Sequence, residues 1–145
     1  MLNNVELLLN NKEWKEFLIN EIFIVENSKA YHKTNLKEIK TKGIPYISRT
    51  NNNNGLAAIV QSGNYKENES NTIVFGAENV TFFFQPFKYI TGNKIYTIKS
   101  DKINKYSGQF IQNLLNISIK NCGFGYGKLP QRALSASKLC LRLHI

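Results

Sequence analysis

Histidine and cysteine are nearly absent from this 145-residue sequence, with two of each. Cys122 and Cys140 stand alone, with no Cys-x-x-Cys pair and no histidine cluster, so neither a zinc knuckle nor a disulfide framework is indicated. A reduced, cytoplasmic protein is the simplest reading. His32 has no partner at metal-ligand spacing and is expected to face solvent. Long apolar runs are missing too. The longest near the start, Val5 to Leu9, is broken by Glu6, is too short to span a membrane and lacks signal-peptide flanks. Carboxylates thin out along the chain, leaving only Glu67, Glu69, Glu78 and Asp101 after residue 42. None of them sits in a motif that pairs carboxylates or supplies a base to a nucleophile, which argues against catalysis by this chain and against a cofactor of its own.

What is present is apolar mass and positive charge. At 42% apolar and 12% aromatic composition, one domain's worth of chain can bury a real core. The net charge is +9, and it is unevenly spread. Residues 1–42 carry seven lysines against six glutamates, whereas residues 85–145 carry ten basic residues against Asp101 alone. Such an asymmetry suits a polyanionic partner, because each neutralised phosphate releases condensed counterions. A merely soluble basic surface is the plainer alternative.

The most informative stretch runs from Gly43 to Gly63. The apolar segment Ile44-Pro45-Tyr46-Ile47 enters Ser48-Arg49-Thr50 and four asparagines, turns at Gly55, and leaves as Leu56-Ala57-Ala58-Ile59-Val60. This pattern predicts a hairpin with a tight turn at Asn54-Gly55, since asparagine tolerates positive φ and glycine favours it. Asn51, Asn52 and Asn53 leave amide donors and acceptors at the tip. Arg49 is the only arginine before Arg132, and its planar fork could meet guanine bidentately while the amides pair with adenine edges. The competing readings are that the asparagines only form the turn and that Arg49 anchors the loop to its own backbone.

Elsewhere the signals are coarser. Residues 3–10 suit a short helix, and Phe17 to Val25 is dense enough in apolar residues to be core. Residues 26–42 read as a polar, lysine-rich surface loop. Asn71 to Gly76 and Val80 to Gln85 predict a second hairpin, closed by Pro86, which cannot donate to a central ladder. Residues 101–120 predict a helix capped by Ser100 or Asp101. Its buried stripe would be Ile103, Tyr106, Phe110, Leu114 and Ile117, widened by Ile111 and Leu115, with Lys105, Gln109, Gln112 and Asn116 facing solvent. Gly123, Gly125 and Gly127 make an irregular loop without the Gly-Lys-Thr or Gly-Lys-Ser step of a phosphate-binding loop.

The order of these segments resembles the target recognition domain of type I restriction–modification DNA specificity subunits. The matching pieces are Trp14, Phe17, Ile22 and Phe23 at the entry, Ile-Pro-Tyr-Ile-Ser before Asn-Asn-Gly, the aromatic strand Phe82-Phe83-Phe84-Gln85-Pro86 leading through Lys88 and Tyr89 to the Lys94–Lys99 segment, and Tyr126-Gly127-Lys128 before the last strand. The resemblance implies a single α+β domain over residues 1–145, a mixed or antiparallel twisted sheet with hairpins and one or two packed helices. Residues 14–145 carry the likeness, with residues 1–13 expected to form a helical lead-in and no spacer helix expected within residues 14–145. It implies a bacterial, non-catalytic reader of double-stranded DNA. Chemistry would come from a methyltransferase subunit using S-adenosylmethionine and, in some assemblies, a restriction subunit; a homodimer is compatible with it. The expected DNA contacts are Arg49, Thr50, Asn51, Asn52, Asn53 and Asn54 at the tip, with Lys88, Lys94, Lys128 and Arg132 on the backbone and Tyr89, Tyr126 and Gln131 beside them. Alternatives are the recognition part of a fused restriction–methylation enzyme, or a basic module that binds an acidic protein.

Overall fold

The computed structural model describes residues 14–17, 19–77, 81–121 and 141–144. Strand β1 (Trp14–Phe17) pairs antiparallel with β9 (Leu141–His144). A single helical turn, α1 (Ile19–Ile22), leads to β2 (Ile24–Asn27). Two further sheets form the body. One has the order β2-β8-β5-β6, with β5 at Thr72–Gly76, β6 at Phe83–Gln85 and β8 at Ile95–Lys99; the other has the order β4-β3-β7, with β3 at Ile44–Ile47, β4 at Leu56–Val60 and β7 at Ile90–Thr91. Helix α2 (Gly108–Asn121) is the one long helix among the described residues. All neighbours are antiparallel except β3 with β7, so the sheets are mixed, as expected for an α+β domain. The expected N-terminal helix and the glycine-rich loop lie outside the described residues.

Strand β5 explains the layering. Every residue from Thr72 to Gly76 is buried, so this apolar run has both faces covered. Ile73 and Phe75 join Phe82, Phe84, Ile98, Ile111 and Leu115 in a core beneath α2, while Val74 joins Ile47, Tyr89 and Ile95 against the second sheet. Both hairpins form: Ile44↔Val60 to Ile47↔Leu56 with a bulge at Tyr46/Ile47, and Thr72↔Gln85 to Val74↔Phe83. At the entry, Ile19 and Phe23 are core residues, but Ile24, in the edge strand β2, points to the uncovered face and is 60% exposed, while Val25 packs against the core.

The helix corrects the expectation in two ways. Its cap is Asn104, not Ser100 or Asp101: Asn104 Oδ1 accepts from Tyr106 N and Ser107 N, and Asn104 N donates to Ser107 Oγ, a reciprocal capping box. The buried stripe is also a different one, set by the face that packs on the sheet. Ile103, Ile111 and Leu115 are buried and Leu114 is half-buried, but Tyr106, Phe110 and Ile117 are exposed. Gln112 and Asn116, expected in solvent, turn inward to β6. Phe82 N donates to Asn116 Oδ1 at 2.8 Å and Asn116 Nδ2 donates to Phe82 O at 2.9 Å. Phe84 N donates to Gln112 Oε1 at 2.7 Å, and Phe84 O accepts from Asn54 Nδ2 at 3.0 Å. The four outward-facing groups of an edge strand are thereby satisfied by side-chain amides rather than by another strand.

Candidate nucleic-acid interface

The loop between β3 and β4 spans Ser48 to Gly55 and is longer than the two-residue turn its sequence predicts. Asn53 (φ 51°), Asn54 (φ 56°) and Gly55 (φ 77°) run consecutively in the left-handed region, which asparagine and glycine alone adopt cheaply. The turn closes through Gly55 N to Asn52 O at 3.0 Å and Ser48 N to Gly55 O at 3.0 Å. Its flank is seated on β6: Thr81 Oγ1 donates to Asn51 Oδ1, Asn54 Nδ2 to Phe84 O, and Gln85 Nε2 to Asn54 O at 2.9 Å. Thr50 Oγ1 accepts from Asn52 N.

The run of asparagines thus divides its labour. Asn54 holds the loop down, and Asn51 is partly engaged. The exposed side chains of Asn52 and Asn53 make no hydrogen bond to the described residues, which leaves both amides for a ligand. Arg49 is exposed, with its stem lying on Gly76 at the end of β5. Lys94 is exposed at the same end: it precedes Ile95, the pairing partner of Gly76, and its carbonyl accepts from Ala77 N at 3.1 Å. The structure therefore gathers Arg49, Asn52, Asn53, Thr81 and Lys94 at one end of the sheets. Guanidinium, amide and ammonium groups are the chemical types that recognise base edges and phosphates.

Two expected contacts separate from this cluster. Lys88 is exposed but follows Gln85, which pairs with Thr72 at the opposite end of β5, about 13 Å along the strand. Tyr89 is a correction: it is 0% exposed, and its hydroxyl shares a 2.7 Å hydrogen bond with Thr72, so it packs the core and cannot reach a ligand. Burial drives its hydroxyl pKa far above the ordinary tyrosine value. Tyr126, Lys128, Gln131 and Arg132 lie outside the described residues. Sequence reasoning missed Thr81 and Gly76, which meet the loop only through tertiary packing. It also missed the Gln112 and Asn116 amides, whose i, i+4 spacing beside Ile111 and Leu115 was the available signal.

A second concavity, about 290 Å³, opens at the other end of β8. Its charged lining is balanced, with Glu26, Glu67 and Glu69 against Lys29, Lys66 and Lys99. Lys99 Nζ sits 2.8 Å from Glu26, and that hydrogen bond holds the ammonium above its usual pKa. Such compensation offers a polyanion nothing. Among the described residues no group of histidine, cysteine and carboxylate side chains could hold a metal, and no helix is long and apolar enough to cross a membrane.

Residues 11–141 match the family model described as type I restriction modification DNA specificity domain. Among curated protein sequences no match was found. Of the solved structures, the type I restriction–modification S subunit from M. genitalium aligns with TM-score 0.56 at 14% identity, covering 88% of this chain and 33% of that one. The HsdS subunit from Thermoanaerobacter tengcongensis aligns with TM-score 0.53 at 9% identity, over 91% of this chain and 32% of that one. A chain from work on complex assembly and conformational transition of the type I R-M system gives 0.56 at 9%, over 91% and 33%. At these identities the likeness is one of fold, and the chain spans about a third of the length of these solved subunits.

Proposed function

The chain belongs to the type I restriction modification DNA specificity domain family, and from that premise we propose that it reads a short double-stranded DNA sequence through the end of the domain that carries Arg49, Asn52 and Asn53. The family match over residues 11–141 is the observation that carries the reading; the loop geometry supports the choice of surface. In this reading Arg49 donates its two-pronged fork to a guanine edge, and the Asn52 and Asn53 amides meet adenine edges in the major groove. Thr50, Asn51 and Asn54 act through the loop, as its fasteners. Lys94 neutralises a phosphate beside the read bases, Lys88 a more distant one, and Lys128 and Arg132 serve as further backbone anchors beside Tyr126 and Gln131. The domain breaks no bond. It supplies an address to partner subunits, a methyltransferase and a restriction subunit, whose chemistry acts on the DNA that it selects.

The test is selection of bound duplexes from a randomised pool, repeated with Arg49→Lys. The wild-type chain should enrich a motif, and the variant should fold normally yet lose discrimination at one base pair, on the order of 1–3 kcal/mol. Equal weakening on every duplex would assign Arg49 to a phosphate or to the fold instead.

A further inference from the structure

We infer that Gly76, a residue that contacts no base in the reading above, is a specificity-determining position because it seats the arginine that does; this rests on the assignment of Arg49 as a base reader. A Cβ built on Gly76 would lie 3.1 Å from Arg49 Cγ, 3.5 Å from its Cβ and 3.8 Å from its Cα. The first distance is tighter than ordinary carbon contacts, and all three neighbours belong to one residue. The floor under the arginine stem is therefore bare backbone, and the stem uses that space. Gly76 is not in the left-handed region, so nothing in the turn chemistry demands glycine. It closes β5, paired with Ile95, where a side chain would ordinarily strengthen a strand. The space is close-fitting: the small cleft beside it is lined by Ser48, Thr50, Thr81, Phe83 and Ile95 together with Arg49 and Gly76.

A methyl group at position 76 must move Arg49 Cγ by a few tenths of an ångström or turn the side chain into another rotamer. The guanidinium lies three bonds beyond Cγ, so either response is magnified at the fork. Bidentate recognition tolerates little displacement, because both N–H groups must point at two acceptors together. Residue size at 76 thus sets where the fork reaches, while Gly76 itself acts only as a positioning residue.

The experiment compares Gly76→Ala, Gly76→Ser and Arg49→Lys in the full chain, using the randomised duplex selection, thermal melting and the NMR resonance of the Arg49 Nε–H group. Expected for Gly76→Ala are a shifted Nε–H resonance before any DNA is added and about a tenfold loss of discrimination at the same base pair that Arg49→Lys affects. Affinity for unrelated duplexes should stay within about twofold, and Gly76→Ser should behave likewise. If Arg49→Lys alters one base pair while both Gly76 variants keep wild-type preference, Arg49 remains a reader and the inference about Gly76 is wrong. A uniform loss across duplexes with a lowered melting temperature would make Gly76 a fold residue only, which also overturns it. If Arg49→Lys changes no preference, the base-reading assignment itself fails, and this inference fails with it.

Discussion

Removing the Asn116 side chain should be a costly polar truncation on α2. Asn116 lies half-buried on α2 and answers both the N–H and the C=O of Phe82, a residue that is 0% exposed. Asn116→Ala leaves those two groups without partners at a strand edge that α2 shields from water. Each orphaned backbone group costs about 1–3 kcal/mol, and alanine's better helix propensity returns about 0.5 kcal/mol. The net expectation is about 1.5–5.5 kcal/mol, which for a chain of this size lowers the melting temperature by roughly 5–18 °C. Thermal unfolding followed by circular dichroism, with urea titration at fixed temperature, measures it. Asn116→Asp should fall between, since an ionised carboxylate still accepts from Phe82 N but cannot donate to Phe82 O. Gln109→Ala, at an exposed position on the same helix, should stay within about 0.5 kcal/mol of wild type. A drop under about 2 °C for Asn116→Ala, or equality between it and Gln109→Ala, would refute the claim that side-chain amides replace a missing strand.

Other outcomes follow from single contacts. Tyr89 and Tyr46 are both buried with raised pKa values, so folding favours their neutral forms. Their contribution is intact below the unfolded tyrosine value of 10.0 and is lost as pH rises above it, at up to about 1.4 kcal/mol per pH unit for each group. Tyr89→Phe should cost about 1 kcal/mol at neutral pH, by loss of the Thr72 bond, and flatten the alkaline fall in a urea series, leaving DNA affinity unchanged. Asn54→Ala loses both the Phe84 carbonyl bond and an inexpensive left-handed residue, so about 1–3 kcal/mol of stability should disappear, whereas Asn52→Ala should melt like wild type. Lys94→Ala should weaken every duplex similarly and lower the slope of log affinity against log salt by about one, as measured by fluorescence anisotropy across a salt series.

Patterns with a local cause were readable in the sequence. Alternating and continuous apolar runs gave both hairpins in their correct positions, because strand burial and turn residues are encoded within a few positions of each other. The positive φ values at Asn54 and Gly55 were signalled by residue type, whereas that of Asn53 was not, since Asn52 beside it stays extended. What failed depended on partners distant in the chain. Tyr106, Phe110 and Ile117 fit a helical stripe, yet the face that packs is decided by β6 and the core beneath it. Gln112 and Asn116 look like solvent residues until an unpaired strand edge lies beside them. Tyr89 follows a lysine in a polar loop, and only the pairing of Asn68 with its backbone and Thr72 with its hydroxyl reveals that it turns inward. The roles within the asparagine run were equally hidden, since identical side chains differ only in what each one meets across the loop.

The central claim is that one end of this domain, and not its other charged surfaces, faces DNA. Titrating an isotope-labelled chain with a selected duplex while following backbone amide resonances tests it most directly. The account predicts shifts concentrated at Ser48 to Asn53, Gly76, Ala77, Thr81 and Asn93 to Lys94, a smaller one at Lys88 from its more distant phosphate, and those of Lys29 to Lys42 and the Glu26–Lys99 cleft nearly still. Shifts centred instead on the residue 29–42 lysines or on the exposed face of α2, with Arg49 and its loop unmoved, would contradict it.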